Sequence, residues 1–349
     1  MRVDYLIIGQ GLAGTVLALE LIRAGKRVLV VDNGHRSAAS TAAAGIINPV
    51  TGKRLARSWK IDVLLPSAME YYSQWEREYG ATVFHPRTVR RFLNEDQRRR
   101  YWPRRRASGE LNDFLVQPPA RDSGSFPGLC AEGEPVEFGP AGFVDTRVFL
   151  EVSRNVLAGQ DAVCNEDFHC DALRIGKSGV TWGRVRAGRV IFCEGYRAAG
   201  NPFFDWLPFT PAKGEILGLR LPGIPRDRIL NNGKWLLPAG GDEVRVGATY
   251  EWARLDERPT ESGRRKLLEA FRSLVDLPAE VLDHRAGVRS ILKDTKPVAG
   301  LHPGYDSIGV FNGLGSKGVM IAPYYARQFV TCLEQGRSLD DEVDVRRNF

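Results

Sequence analysis

Residues Tyr5-Leu6-Ile7-Ile8-Gly9-Gln10-Gly11-Leu12-Ala13-Gly14 decide how this chain is read. Residues 5–8 form a short apolar run suited to a strand buried on both faces. The three glycines that follow have separate physical tasks. Gly9 permits a tight turn out of the strand, Gly11 leaves its backbone open to a pyrophosphate, and Gly14 lets a helix pack closely on the strand. The helix predicted from there runs through Ala18 and Leu21 to Gly25, a suitable stop. Its free N-terminal amides and its dipole favour a phosphate at its start. A second strand, Val28-Leu29-Val30-Val31, delivers Asp32, 23 residues beyond Gly9. A carboxylate at that distance accepts hydrogen bonds from ribose hydroxyls. The unit predicts a Rossmann-type dinucleotide site made by Gly9, Gly11, Leu12, Ala13, Gly14, Asp32 and Asn33. On its own it does not separate FAD from NAD.

The next stretch bears on that choice. Ala39-Ser40-Thr41-Ala42-Ala43-Ala44-Gly45-Ile46-Ile47-Asn48-Pro49 is small and flexible, and polar at its start. Such a segment can lie against a second phosphate and a flavin ring, where bulky side chains would clash. A simple NAD dehydrogenase more often continues into another helix and strand. A plain surface loop is the alternative. The expected contacts are Ser40, Thr41, Ala44, Gly45 and Ile46.

Taken together, Gly9, Gly11, Gly14, Asp32 and residues 40–46 resemble the D-amino acid oxidase superfamily of flavoproteins. The Thr-Ala-Ala-Ala-Gly-Ile run is most similar to its glycine oxidase branch. The resemblance continues in order along the chain. Gly142-Phe143-Val144-Asp145-Thr146-Arg147 resembles the family's turn into a long helix. Val190-Ile191-Phe192-Cys193-Glu194-Gly195 resembles a strand ending in a glycine near the flavin. Pro211-Ala212-Lys213-Gly214-Glu215 and Gly247-Ala248-Thr249 resemble parts of a substrate sheet, as do Gly287-Val288-Arg289 and the loop after it. Gly313-Leu314-Gly315-Ser316-Lys317-Gly318 resembles the closing flavin loop. Residues 56–140 carry no such motif.

The resemblance implies an α/β fold, with an α+β second domain: a Rossmann-type FAD-binding domain joined to a discontinuous antiparallel-sheet substrate domain. Residues 1–55, 141–205 and 285–349 would form the first, and 56–140 and 206–284 the second. It implies non-covalent FAD, with Phe168 in a strand beside the adenine and Gly195, Gly313, Gly315, Ser316, Lys317 and Gly318 beside the flavin. Flavin carries the electron chemistry, so the protein must bind, orient and tune. The chief demand is a cation for a substrate carboxylate, which a bidentate arginine meets best. Arg289 is the candidate, with Arg285 as a lesser rival on the same strand face. Tyr250 could donate its hydroxyl to substrate. Lys317, or the backbone amides around it, could place positive charge near the flavin carbonyl edge.

Composition limits the alternatives. The chain has 349 residues, 43% hydrophobic and 26% charged, as in soluble globular proteins. No apolar run approaches the ~18–20 residues of a membrane span, and no signal peptide is evident, so a cytoplasmic protein is expected. The cysteines, Cys130, Cys164, Cys170, Cys193 and Cys332, suit neither a disulfide framework nor a metal site. Cys164 and Cys170 flank His169 in what reads as a strand with packed thiols. The formal charge of +7 is matched by one window, residues 86–108, where nine arginines face only Glu95 and Asp96. That window reads as a solvated helical face with a turn at Trp102-Pro103, in preference to a nucleic-acid patch.

The expected function is FAD-dependent oxidation of the C–N bond of a small amino acid or amine carboxylate, with oxygen or a quinone-type acceptor. Two alternatives share the fold: oxidation of a 2-hydroxy acid, and action on a modified tRNA base. An NAD-binding or non-enzymatic protein is the remaining class.

Overall fold

A computed structural model describes residues 1–35, 38–117, 126–131 and 135–349. Two eight-stranded sheets organise it. In the first, strand Arg2–Ile8 lies between Val185–Phe192 and Val28–Val31, parallel to both. Tyr305–Asn312 adds beyond Val185–Phe192, and Val298–His302 closes that edge. The alternation of side chains sorts this sheet into two cores. Tyr5, Ile7, Val28, Val30, Ile191 and Phe311 face one way, onto helices Leu12–Arg23, Ile61–Tyr79 and Gly318–Gln335. Leu6, Ile8, Leu29, Val31, Val190 and Phe192 face the other, with Phe204 and Trp182.

The second sheet runs in the order Glu280–Arg289, Ala212–Arg220, Glu243–Gly247, Trp235–Gly240, Arg228–Asn231, Phe84–Phe92, Pro135–Val144, Ile46–Ile47. It is antiparallel except where Arg228–Asn231 pairs parallel with Phe84–Phe92. Leu217, Leu219, Leu236, Val244 and Val246 pack on one face with Leu267 and Phe271 of helix Glu261–Arg272. That helix starts where Thr260 accepts from the Gly263 amide at 3.0 Å, an ordinary N-cap. The opposite face carries Ile216, Trp235, Asn231 and Arg91 and roofs the cavity described below.

Two expectations change. The arginine window is not one helical face. Its first part is the strand Phe84–Phe92, and its second part is helical from Gln97 to Ser108 with no turn at Trp102-Pro103. Pro103 is the second residue of helix Trp102–Ser108, directly after the π-helical turn Gln97–Tyr101. Arg98, Arg99, Arg100, Arg104 and Arg106 are exposed, as a solvated face requires, but Arg90 and Arg91 are buried. His169 is not in a strand: Val163–Cys164 ends before it, Cys170–Ala172 is a 3-10 turn, and the next strand is Leu173–Gly176.

Residues 61–79 also show what an unmotivated stretch can do. Leu64, Leu65, Ala68, Tyr71, Tyr72 and Trp75 are buried along one side of the helix, at helical spacing. They join the core beneath the first sheet. Trp75 is fully buried, packs on Phe149 at 5.2 Å and donates to Ser153 Oγ at 3.2 Å. Trp75→Ala is expected to cost about 3–5 kcal/mol in urea unfolding. A loss below about 1 kcal/mol would remove this helix from the shared core.

Candidate functional site

The ends of the first sheet and the inner face of the second enclose a cavity of about 800 Å³. One end is made by the opening glycine turn. A Cβ on Gly14 would lie 1.9 Å from the Gly9 carbonyl oxygen, so strand and helix meet backbone to backbone. Gly9 itself has φ +95°, a conformation that favours glycine. Gly11 caps the helix without a side chain, and no acid occupies the first turn. The helix therefore presents its positive end to the cavity. Ser40 Oγ accepts from the Leu12 amide at 3.0 Å, tying the small-residue segment to the turn.

Asp32 closes the same end. Its carboxylate accepts from the amides of Gln10 (3.0 Å), Gly34 (2.9 Å) and His35 (2.8 Å), and from Arg154 at 3.1 Å. Burial alone would raise its pKa, but these amides and the neighbouring charges hold it below the usual carboxylate value. Glu194 behaves in the opposite way. It follows strand Val185–Phe192 at the cavity wall, and burial pushes its carboxyl up despite a hydrogen bond from Asn201.

The far end is lined by the second sheet. Arg289 crosses the neighbouring strand, its guanidinium lying where a Cβ on Gly214 would be, about 2.0 Å away. Only a glycine at 214 makes that path possible. The guanidinium stacks on the Tyr250 ring at 4.2 Å and donates to the Thr249 carbonyl at 3.3 Å. Burial pushes its pKa down, and Tyr250 opposes that. No carboxylate pairs with it among the described residues. Arg285, its rival, pairs with Asp283 and is not part of the cavity wall. Lys317 is not a surface residue: it is mostly buried, and its Nζ donates to Thr51 and Ser58 hydroxyls at 3.2 Å each.

Most of the expected residues converge here. Gly9, residues 11–13, Asp32, Asn33, Ser40, residues 44–46, Phe168, Gly195 and residues 315–318 line the cavity, as do Arg289, Tyr250 and Lys317. Gly14, Thr41 and Gly313 do not. Gly14 acts beneath the turn. Thr41 bonds the Ala38 carbonyl and receives Arg147 on its own. Gly313 leaves room for Leu292. Phe168 lies in the loop after Val163–Cys164 instead of within a strand, and it packs on Trp182 and Phe192.

Sequence reasoning missed Arg154, whose helix Thr146–Gly159 points it at Asp32, Gln10 and Asn165. It also missed Arg91, Lys234 and Trp235 in the cavity wall. Strand alternation separates Arg91 from Arg90, and that was the available signal.

The protein-family model for FAD dependent oxidoreductases, DAO, matches residues 4–331. A glycine oxidase of Pseudomonas aeruginosa is 24% identical over 350 residues, covering 94% of this chain and 93% of that protein. Among solved structures, a glycine oxidase from Geobacillus kaustophilus has a TM-score of 0.80 at 22% identity, covering 97% of this chain and 96% of that one. An iminodiacetate oxidase from Chelativorans sp. has a TM-score of 0.76 at 24% identity, covering 97% and 98%.

Two glycine substitutions separate architecture from binding. Gly14→Ala is expected to lower the unfolding temperature of the apoprotein, because the clash is with backbone. At Gly11 a Cβ would meet only Ser40 Oγ, at 3.6 Å. Gly11→Ala should keep the apoprotein's unfolding temperature and weaken FAD in a fluorescence titration. Equal FAD affinity in Gly11→Ala and the parent would show that the pyrophosphate does not approach this backbone.

Proposed function

We propose that this chain, which belongs to the DAO family of FAD-dependent oxidoreductases, oxidises the C–N bond of a small amino acid or amine carboxylate. The observation that carries this reading is Arg289: mostly buried, aimed into the cavity, held by a ring face and a carbonyl, and without an acid partner among the described residues. A buried cation of this kind is costly until an anion joins it. A planar carboxylate fits its fork. The names of the glycine oxidase and iminodiacetate oxidase relatives support an amine next to that carboxylate.

The cavity fits FAD. In our reading, Asp32 holds the ribose and the open start of helix Leu12–Arg23 takes the pyrophosphate. The segment around Ser40 and residues 44–46 would lie along the flavin, with residues 315–318 at its carbonyl edge. Phe168 would border the adenine. No covalent link is proposed. Segments 1–55, 141–205 and 285–349 would carry the cofactor, and 56–140 and 206–284 would cover the substrate, except that helix Ile61–Tyr79 packs in the core of the first sheet and residues 285–289 continue a strand of the second; residues 36–37, 118–125 and 132–134 lie outside the described ones. Bound FAD supplies a two-electron acceptor for the substrate's hydride, with oxygen or a quinone-type compound accepting the electrons afterwards.

The protein's own part is positional. Arg289 fixes the carboxylate, which sets the adjacent C–H bond against the flavin face. Tyr250 buttresses Arg289 and offers a hydroxyl at the half-exposed mouth. Trp235 and Ile216 exclude water from the sheet side. Lys317 and the uncapped start of helix Gly318–Gln335 place positive potential near the carbonyl edge. Among the described residues no helix is long and apolar enough to cross a membrane.

Anaerobic mixing of the yellow protein with glycine, N-substituted glycines and D-amino acids should bleach the flavin with at least one of them. Bleaching by 2-hydroxy acids alone would transfer the reading to C–O oxidation. Arg289→Met should raise KM for the carboxylate substrate roughly 30- to 1,000-fold, about 2–4 kcal/mol. An unchanged KM would assign Arg289 a purely structural task.

A further inference from the structure

The charges that line the cavity are sorted by position. The acids, Asp32, Glu166, Asp167 and Glu194, all follow strands of the first sheet, at the dinucleotide end. Elsewhere the wall carries Lys53, Arg91, Arg197, Lys234, Arg289 and Lys317 and, among the described residues, no acid. Arg289 accounts for one substrate carboxylate. Of the others, Arg91 is the most deeply buried and has no task so far, and Lys317 shares with the helix start the potential at the flavin edge.

Arg91 is only 6% exposed. It follows Arg90 on strand Phe84–Phe92, and alternation sends the two to opposite faces. Arg90 meets the buried Glu137 at 2.7 Å. Arg91 enters the cavity, where its guanidinium donates to the Gly52 carbonyl at 2.9 Å and its Nε is buried without a partner. Its pKa is pushed down to about 10 by burial alone, with no acid opposing the fall. Lys317 is comparable: two hydroxyls hold its Nζ, and burial alone lowers its pKa. The two cations are anchored on consecutive residues of one hairpin, in which Val50–Thr51 pairs antiparallel with Ala56–Arg57: Arg91 on Gly52 and Lys317 on Thr51.

Cross-strand register sets this pair apart from Arg289. Ile216, Gly247, Trp235, Asn231 and Arg91 form one row across the sheet and all line the cavity. Arg289 is on the strand beyond that of Ile216, five strand spacings from Arg91. That is about 24 Å between backbones, shortened at one end because Arg289 leans inward over Gly214. One carboxylate cannot serve both ends.

The geometry points to a second anion subsite, built by Arg91 and Lys317 on the hairpin at Thr51 and Gly52, and hence to a dianionic substrate. The chemical class is an amino acid, or N-substituted amino acid, bearing a second carboxylate remote from the one on Arg289. This rests on the reading of Arg289 given above. A desolvated guanidinium with an unused N–H gains most from a charge-assisted bond, and a site built to hold a charged group rejects analogues that lack it.

The test uses the FAD-loaded enzyme and unreactive acids. Perturbation of the flavin absorption spectrum is titrated with straight-chain dicarboxylates from succinate to dodecanedioate and with monocarboxylates of equal chain length. At the best length, the dicarboxylate is expected to bind roughly 10- to 100-fold more tightly than its monocarboxylate. Arg91→Met should reduce that preference to near one, and Arg91→Lys should restore part of it. If Arg91→Met fails to fold, Arg91→Lys and Lys317→Met should each lower the preference. A preference near one in the parent enzyme overturns the proposal, as does one that survives both Arg91→Met and Lys317→Met. So does an Arg91→Met enzyme with a weakened FAD complex or a shifted resting flavin spectrum and an intact preference, because the cation would then serve the flavin. Failure of the underlying reading is separate: Arg289→Met would leave the binding of both acid classes unchanged.

Discussion

The contact between Gly14 and the Gly9 carbonyl is the constraint from which the rest of the molecule follows. It brings the start of the first helix to the end of the central strand with no side chain between them. Because they touch, the helix amides and dipole point at one spot, and Asp32 arrives beside it from the neighbouring strand. Cys193, at the end of the strand on the other side, packs under the same turn. The cavity begins where these parallel strands end, and the second sheet has only to roof it. This is the general geometry of ligand sites in open α/β sheets.

How much of this was legible in the sequence depended on how local the cause was. The opening turn, its strand and helix, and Asp32 are set by neighbours within some thirty residues, and residue type at fixed spacing reveals them. Arg289 and Lys317 were found because they sit in recognisable segments, although their burial is a tertiary fact. Arg154 and Arg91 were not found. Arg154 acts from the middle of a helix on an acid 122 residues away, and nothing local distinguishes it from a surface arginine. Arg91 was hidden inside a run of arginines whose average character, solvated and helical, is correct for the members after Gln97. Counting charge over a window merged a strand with a helix, whereas alternation along the strand separates the two. Residues 61–79 were opaque for another reason: an amphipathic helix shows which side it buries but not against what.

The electrostatics of the interior carry a division of labour. Negative groups gather where the dinucleotide is expected: Asp32 is held by backbone amides, and Asp167 and Glu194 by asparagine side chains. Positive groups gather where substrate is expected, and they are held by neutral partners: a carbonyl for Arg289, another for Arg91, two hydroxyls for Lys317. Neutral partners fix the position of a cation without cancelling its charge. Such an arrangement costs stability in the empty protein and is recovered when an anion binds.

The order of strands in the first sheet has a consequence for how the molecule is made. Its central strand, residues 2–8, leaves the ribosome well before its partner on one side, Val185–Phe192, which in turn rests on the still later Tyr305–Asn312. The helix that covers the early strands and helix Ile61–Tyr79 is Gly318–Gln335, near the end of the chain. An emerging polypeptide therefore displays Tyr5-Leu6-Ile7-Ile8 and Val28–Val31 without their final neighbours until Gly318–Gln335 has been made. These are apolar segments of high strand propensity. Left uncovered, such segments are prone to pair wrongly, and the binding turn is complete only after segments made long after it.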